Sequence, residues 1–478
     1  MSLFLTRRRA LAAGAASLAA LPAWHGAFAA TPRALTAETR TIEVNGRAAP
    51  VFGLRQPSGE SGLVLEPGAR FLVDLANRSS EDTIVHWHGQ TPPPSQDGVT
   101  DTGYAGPIVA GASRLYDFAA RPGTHWMHSH HGLQEQALMA APLVVHSEED
   151  RRRDAQEAIV LLHDFSFRSP AEILASVAAS MAHGGVNMPA GGHAGHSMAG
   201  MAMAPGGLDL NDFNHDAYLA NDRTLADPQL VRAEPGGRVL LRLINGATST
   251  AFWIELGALE ATVLAADGND VRPVTGRRFP LAQGQRLDLL VTLPKSGGAF
   301  PVLAQREGDV QQTGIILATP GARIAKQAAQ AAKAAGAIDL SLEGRLIATA
   351  PPPVRPAAVT HRVVLDGSMM PYRWSIDGRS WSDRQKLRAT PGDRVEIEMV
   401  NRSPMAHPMH LHGHHFQVIG INGQALAGAV RDTVLVPVNG SVRIAFDADN
   451  PGRWLFHCHN LFHMATGMMT EFAYGETS

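Results

Sequence analysis

Apolar and polar residues alternate along most of this chain in short runs that stop at Pro, Gly or Asn. The clearest are Phe71-Leu72-Val73-Asp74-Leu75, Val239-Leu240-Leu241-Arg242-Leu243-Ile244 and Val395-Glu396-Ile397-Glu398-Met399-Val400. A period of two sends successive side chains to opposite faces of an extended backbone, so these runs predict strands. Many such strands with turn residues between them predict an all-β chain built of sandwiches. Two stretches read as helical instead, Ala171–Ala179 and Ala325–Ala335. The second is rich in Ala, Gln and Lys and, with the run Pro351-Pro352-Pro353, reads as a linker. From Met181 to Gly207 the chain mixes Gly, Ala, Met and His with no packable pattern, and a mobile loop is expected there.

The strand pattern belongs to a larger repeat. Pro-Gly-x-Arg opens an apolar alternation that closes on an Asn at Pro67…Asn77, Pro235…Asn245 and Pro391…Asn401. Nine and eleven residues after the first Asn stand His86 and His88; after the third stand His410 and His412; after the second, Ile254 and Leu256. Further on, Pro122-Gly123 leads to His128-Ser129-His130, and Pro451-Gly452 leads to His457-Cys458-His459 at the same offsets. Four His-x-His pairs thus occupy equivalent places in the first and third repeats. The 478 residues allow two to four domains, and the repeat interval selects three.

Charge and cysteine content narrow the function classes. A formal net charge of -3 offers no basic surface excess for nucleic acid. A single cysteine excludes an internal disulfide framework and leaves Cys458 for chemistry or burial. At the N-terminus, Thr6-Arg7-Arg8-Arg9 precedes an Ala-rich apolar run, and Ala27-Phe28-Ala29 offers a cleavage site. The run is too short to span a membrane, so no stable membrane anchor is expected. The paired arginines resemble a twin-arginine export signal over residues 1–29, with an ordinary secretory signal as the alternative; either places the protein outside the cytoplasm, in the periplasm.

In a strand, each His-x-His presents two imidazoles on one face. Imidazole suits copper, zinc, iron and nickel, and eight such ligands exceed one ion and fit a cluster of three. Cys458 lies between His457 and His459 and faces the other way. His407, His463 and Met468 are its expected companions. Two imidazoles, a thiolate and a weak thioether make the donor set of a blue-copper electron-transfer site. In the first repeat Ser129 and Gln134 replace Cys458 and His463, so that repeat cannot hold such a site.

His86-Trp87-His88-Gly89, His128-Ser129-His130, His407-Pro408-Met409-His410-Leu411-His412 and His457-Cys458-His459-x3-His463-x4-Met468 resemble the copper motifs of three-domain multicopper oxidases. The resemblance implies three cupredoxin-like Greek-key sandwiches at 30–150, 151–322 and 356–478, with a linker at 323–355. It also implies four copper ions. His86 and His410 would bind the type 2 copper. His88, His128, His130, His412, His457 and His459 would bind the type 3 pair. His407, Cys458, His463 and axial Met468 would bind type 1. Four one-electron oxidations at type 1 would then feed reduction of dioxygen to water, with Cys458, His457 and His459 carrying the electrons inward. Asp97 stands where the family places a proton-relaying acid; a turn-forming Asp-Gly pair is the alternative. His125, His131, His414 and His415 break the shared offsets and read as supporting or surface residues.

One departure concerns protons. Some bacterial members of the family have Glu directly after the second type 1 histidine, where this chain has Met464. Proton supply then leans on Asp97, another acid or water. Methionines crowd the type 1 motif: Met405, Met409, Met464 and Met469, with Met369 and Met370 upstream and Met188, Met198 and Met201 in the low-complexity stretch. Thioethers prefer the cuprous ion, so Cu(I) oxidation in copper tolerance is the leading expectation. Core filling is the competing account of the same methionines. Laccase-like oxidation of small phenols or bilirubin-like pigments is the alternative activity, and a non-catalytic copper-sequestering protein the alternative class. A monomer is expected.

Overall fold

The computed structural model describes residues 31–180 and 210–475. The expected export signal at 1–29 and the expected loop at 181–207 lie outside the described residues. The rest is strand-rich, arranged as three pairs of sheets. In the first pair, a four-stranded sheet contains Arg33–Val44 and Arg70–Asn77, and a second contains Gly123–Ser129 and Val85–His86. The second pair has six and five strands, and the third seven and five.

The alternation read from sequence becomes burial. In Arg70–Asn77, Phe71, Val73, Leu75 and Asn77 are buried, and the residues between them are partly exposed. The inward residues of both sheets close one apolar core per pair, with Leu35, Phe71, Val85, Met127 and Leu143 in the first. Arg238–Asn245 departs from the rule, being buried on both faces after Arg238. Its second face meets the first sandwich. There Arg242, 1% exposed, is paired with Asp150, Glu157 and Asp288 and donates to Thr124 Oγ1 at 3.0 Å. A buried guanidinium persists only with such partners.

The closing Asn of each repeat has one job in three places. Asn77 Nδ2 donates to Glu81 O and Ile108 O while its Oδ1 accepts from Ser79 N. Asn245 does the same with Thr250 O, Leu281 O and Ala247 N, and Asn401 with Met405 O, Val436 O and Ser403 N. The side chain satisfies the backbone where the chain leaves one sheet for the other, which fixes the entry of the histidine-bearing strands.

Of the two expected helices, one forms. Pro170–Ser180 is helical and buries Ile173 and Val177, one turn apart, in the core of the third sandwich. Ala325–Ala335 is not a helix. It runs as irregular chain beside residues 309–312: Gln312 N donates to Ala329 O, Ala331 N to Val310 O and Ala335 N to Asp309 O. As a helix it would carry no apolar stripe wide enough to dock. In this path some of its backbone groups find partners, and Ala335 and Ile338 pack on Trp253.

Candidate metal centre

Strand pairing assembles the histidines. Val85–His86 pairs with Gly123–Ser129 so that His86 stands opposite His128. In the third sandwich, His407–Leu411 pairs with Arg453–Cys458 so that His410 stands opposite His457. The two ladders meet face to face. His86 Nε2 lies 3.4 Å from His410 Nε2, and His412 Nε2 lies 3.0 Å from His457 Nε2. His88 stacks on His410 and His86 on His412, each with ring centroids 3.8 Å apart. Ligand atoms of His86, His410 and His412 fall within 4.8 Å of one another, as do those of His130, His412 and His457, and those of His86, His88 and His128.

Several of the rings are aimed by the outer nitrogen. His412 Nδ1 donates to Asp97 Oδ2 at 2.9 Å, His86 Nδ1 to Asp97 O at 2.9 Å, and His410 Nδ1 to Asp432 O at 2.9 Å. His128 Nδ1 lies 2.8 Å from Glu135 Oε2. The inner nitrogens His88 Nδ1, His128 Nε2 and His130 Nε2, and both nitrogens of His459, are buried without a hydrogen-bond partner. Buried imidazole lone pairs left free and converging on one space fit metal ions.

Burial also keeps these rings neutral and ready to ligate. It holds His88, His128, His130, His410, His412 and His457 well below their ordinary pKa of 6.5, likewise His407, and lowers His459 to about 3. A folded-state pKa depressed below the unfolded value gives stability above pH 6.5 that is lost as pH falls. Each such imidazole would bind a proton in the unfolded chain that the fold excludes, so all of them add to the loss of stability as pH falls below 6.5. The metal-free protein is therefore expected to lose its cooperative thermal transition between about pH 6.5 and 5, where copper-loaded protein retains it. Thermal unfolding across that range checks this; a pH-independent transition in metal-free protein contradicts it.

The second donor set lies behind the same strand. His407 Nδ1 and His463 Nδ1 are 3.1 Å apart and lie 3.6 and 3.7 Å from Cys458 Sγ. All three residues are fully buried. His407 Nε2 donates to Ser403 Oγ at 2.6 Å and His463 Nε2 to Asp212 Oδ1 at 3.1 Å, so both rings turn Nδ1 toward the sulfur. Burial pushes the Cys458 thiol up, which holds it protonated until a cation displaces the proton. Met468, also fully buried, accepts from Cys458 N and donates to His463 O through its backbone. Trp374 packs on His463 at 4.0 Å between ring centroids.

Family models described as multicopper oxidase match residues 37–150, 193–322 and 353–478. Multicopper oxidase MmcO of Mycobacterium tuberculosis is 32% identical over 417 residues, covering 85% of this chain and 80% of that protein. The chain belongs to the multicopper oxidases. Copper resistance protein A of Escherichia coli is 25% identical to it, over 84% of this chain and 86% of its relative. In fold, this multicopper oxidase resembles Fet3p, described as functioning in iron import, with a TM-score of 0.75 and 18% identity over 92% of this chain and 90% of that one. The laccase of Botrytis aclada gives 0.74 at 20% identity, over 93% and 87%. These likenesses bear out the all-β, cupredoxin-like fold.

Within this oxidase, Asp97 both closes a turn and contacts two of the cluster histidines. It ends a 3-10 turn before Gly98, whose φ is +82° and where a Cβ would collide with Val85 O. Its carboxylate meanwhile holds His412, and Oδ1, 3.2 Å from His86 Nδ1, has no hydrogen-bond partner. The flanking histidines stay outside both donor sets. His414 bonds Tyr474 and His412 O, while His415 lies beside Gly89 O and Asn269. Met405, Met409 and Met469 are core residues, whereas Met370 is 56% exposed and Met464 is half-buried.

Three acids escaped the sequence reading. Asp432 accepts from His88 Nε2 at 2.9 Å, and no motif marks it. Asp212, beside the low-complexity stretch, accepts from His463, Tyr372 and Asn460. Burial pushes Asp212 up, but His463 and those hydrogen bonds hold it below the usual carboxylate range. Glu135 carried a signal. Since Gln134 is the repeat equivalent of His463, Glu135 is the equivalent of Met464, and burial raises it to about 7. The acid absent after His463 thus has a counterpart in the first sandwich.

Proposed function

We propose that this multicopper oxidase couples four one-electron oxidations at a type 1 site to reduction of dioxygen to water at a trinuclear site. His407, Cys458, His463 and Met468 would hold one copper, His86 and His410 the type 2 ion, and the six remaining histidines the type 3 pair. Copper bound there supplies reversible one-electron chemistry and dioxygen reduction. The observation that carries the reading is Cys458, whose sulfur sits in one donor set while its covalent neighbours His457 and His459 sit in the other. Asp97 holds His412 and His86 in place and is the proton donor in this reading; Glu135 is a second buried acid beside His128. A non-catalytic sequestering role is set aside by the family membership. Export by the twin-arginine route to the periplasm belongs to the same reading.

Cu(I), in copper tolerance, is the substrate we favour. The relatives named copper resistance protein A support it, as does the way the type 1 ligands are enclosed. The outward nitrogen of His463 is covered by Asp212, and Ile173 and Val177 of the helix Pro170–Ser180 pack into the same core. Among the described residues, the buried His463 imidazole presents no exposed edge to a phenol ring. Phenol oxidation remains the second reading because several relatives are named laccases.

Oxygen uptake measured side by side with Cu(I), Fe(II), Mn(II) and a phenol tests this, on the full chain and on one lacking residues 181–207. Cu(I) is expected to give the highest kcat/KM. The deletion is expected to lower it while the blue absorption stays and phenol turnover rises. Faster turnover of the phenol than of Cu(I) by the full chain overturns the substrate assignment. Unchanged Cu(I) kinetics in the deletion removes that segment from the mechanism.

A further inference from the structure

The second sandwich has Ile254 and Leu256 where its neighbours have cluster histidines, yet its loop Ala282–Arg286 reaches the cluster. Gly284 has a φ of +77°, and a Cβ added there would lie 2.8 Å from His459 Cδ2 and 3.2 Å from His88 Cε1. The loop backbone therefore fits between an imidazole of the first sandwich and one of the third. Two residues on, fully buried Arg286 donates from Nη1 and Nη2 to Asp432 Oδ1 and Oδ2 at 2.7 and 2.5 Å. Its Nε donates to Thr124 O at 3.1 Å, and Nη1 also to Gly284 O at 2.9 Å. A guanidinium bonded at both carboxylate oxygens fixes the plane of that carboxylate, which a point charge cannot do.

What the fixed carboxylate does is visible at His88. Asp432 Oδ1 accepts from His88 Nε2 at 2.9 Å, and Thr433 Oγ1 lies 3.1 Å from the same nitrogen. Gln285 Nε2 donates to Thr433 O at 3.2 Å, so the loop steadies this second contact as well. His86, His128, His410, His412 and His457 all engage protein oxygens through Nδ1 and turn Nε2 inward. His88 is reversed, with Nε2 engaged and Nδ1 free.

We propose that the second sandwich, none of whose described residues is assigned as a copper ligand, is a working part of the trinuclear site: Gly284 and Arg286 are positioning residues that hold the His88 ring in its orientation. The proposal rests on the assignment of the eight histidines to a trinuclear cluster. Without the Arg286 fork, Asp432 can turn away from His88. The ring is then free to rotate, and the nitrogen it offers is no longer defined. With a methyl at position 284, the loop must withdraw from both imidazoles or push them apart. Both changes act on the type 3 pair and leave the type 1 donors, on the other face of Arg453–Cys458, untouched.

The test uses Arg286→Lys and Gly284→Ala in full-length protein reconstituted with copper beside the wild type. Copper per chain, the blue absorption, the near-ultraviolet absorption of a coupled type 3 pair and the paramagnetic fraction of the copper are measured. Both variants are expected to keep wild-type blue absorption per chain while the near-ultraviolet band falls and the paramagnetic fraction changes. The copper concentration that half-loads the cluster should rise about 10-fold or more. Wild-type loading and spectra in the folded variants overturn the proposal. Should Arg286→Lys not fold, Gly284→Ala, which alters no charge, decides alone. Wild-type protein with a blue band but no coupled pair overturns the cluster assignment itself and this proposal with it.

Discussion

Replacing Cys458 by Ser is expected to abolish both the blue colour and turnover while most of the cluster copper is retained. The thiolate supplies the charge-transfer absorption, and Cys458 is the chain's single cysteine. A serine hydroxyl is a poor one-electron conductor and a harder donor, so the His407–His463 pair would lose its preference for copper in both oxidation states. The cluster histidines face the opposite side of the strand. His410 remains opposite His457, and His412 remains aimed by Asp97. The blue absorption, copper content and steady-state oxygen uptake check the outcome together. A blue Cys458→Ser protein would sink the type 1 assignment. Loss of all copper would show instead that the two sites cannot load independently.

The histidine clusters were legible because two local regularities coincide. A period of two brings His86 with His88 and His457 with His459 to one face, and the repeat says which pairs are equivalent. The fold follows from the same alternation, since Phe71, Val73 and Leu75 need no partner information to be recognised as an inward face. What escaped was set by tertiary contacts between sandwiches. Asp432 matters only because His88 and Arg286 arrive from two other parts of the chain. Asp212 matters only because residues after the low-complexity stretch return to His463. Likewise Ala325–Ala335 has helical propensity, but residues 309–312 offer it a better set of hydrogen bonds than a helix with no face to bury. Composition misled at Met405 and Met409, which are near the type 1 site in sequence because they fill the core beneath it. Glu135 does carry a local signal, since it follows Gln134 as Met464 follows His463 in the third repeat.

Asp97→Asn is expected to leave copper loading and type 1 reduction intact and to slow reoxidation of the reduced enzyme by dioxygen about 100-fold or more, the range for loss of a positioned proton donor. The amide is nearly isosteric with the carboxylate, so its oxygen can still accept from His412 Nδ1, and the backbone oxygen that accepts from His86 is unchanged. What disappears is the ionisable oxygen Oδ1, which has no hydrogen-bond partner and lies 3.2 Å from His86 Nδ1. Reduction of one dioxygen to two waters consumes four protons, and Met464, directly after His463, offers none. The residual rate then depends on Glu135 and on water. Because fewer of those remaining donors are protonated as pH rises, activity of the variant should fall more steeply than wild type toward alkaline pH. The measurement is stopped-flow reoxidation of anaerobically reduced enzyme, followed at the blue band over a pH series. Reoxidation at the wild-type rate would reduce Asp97 to its turn with Gly98. A Glu135→Gln variant that alone reproduces the slow phase would move the proton donor to the other side of the cluster.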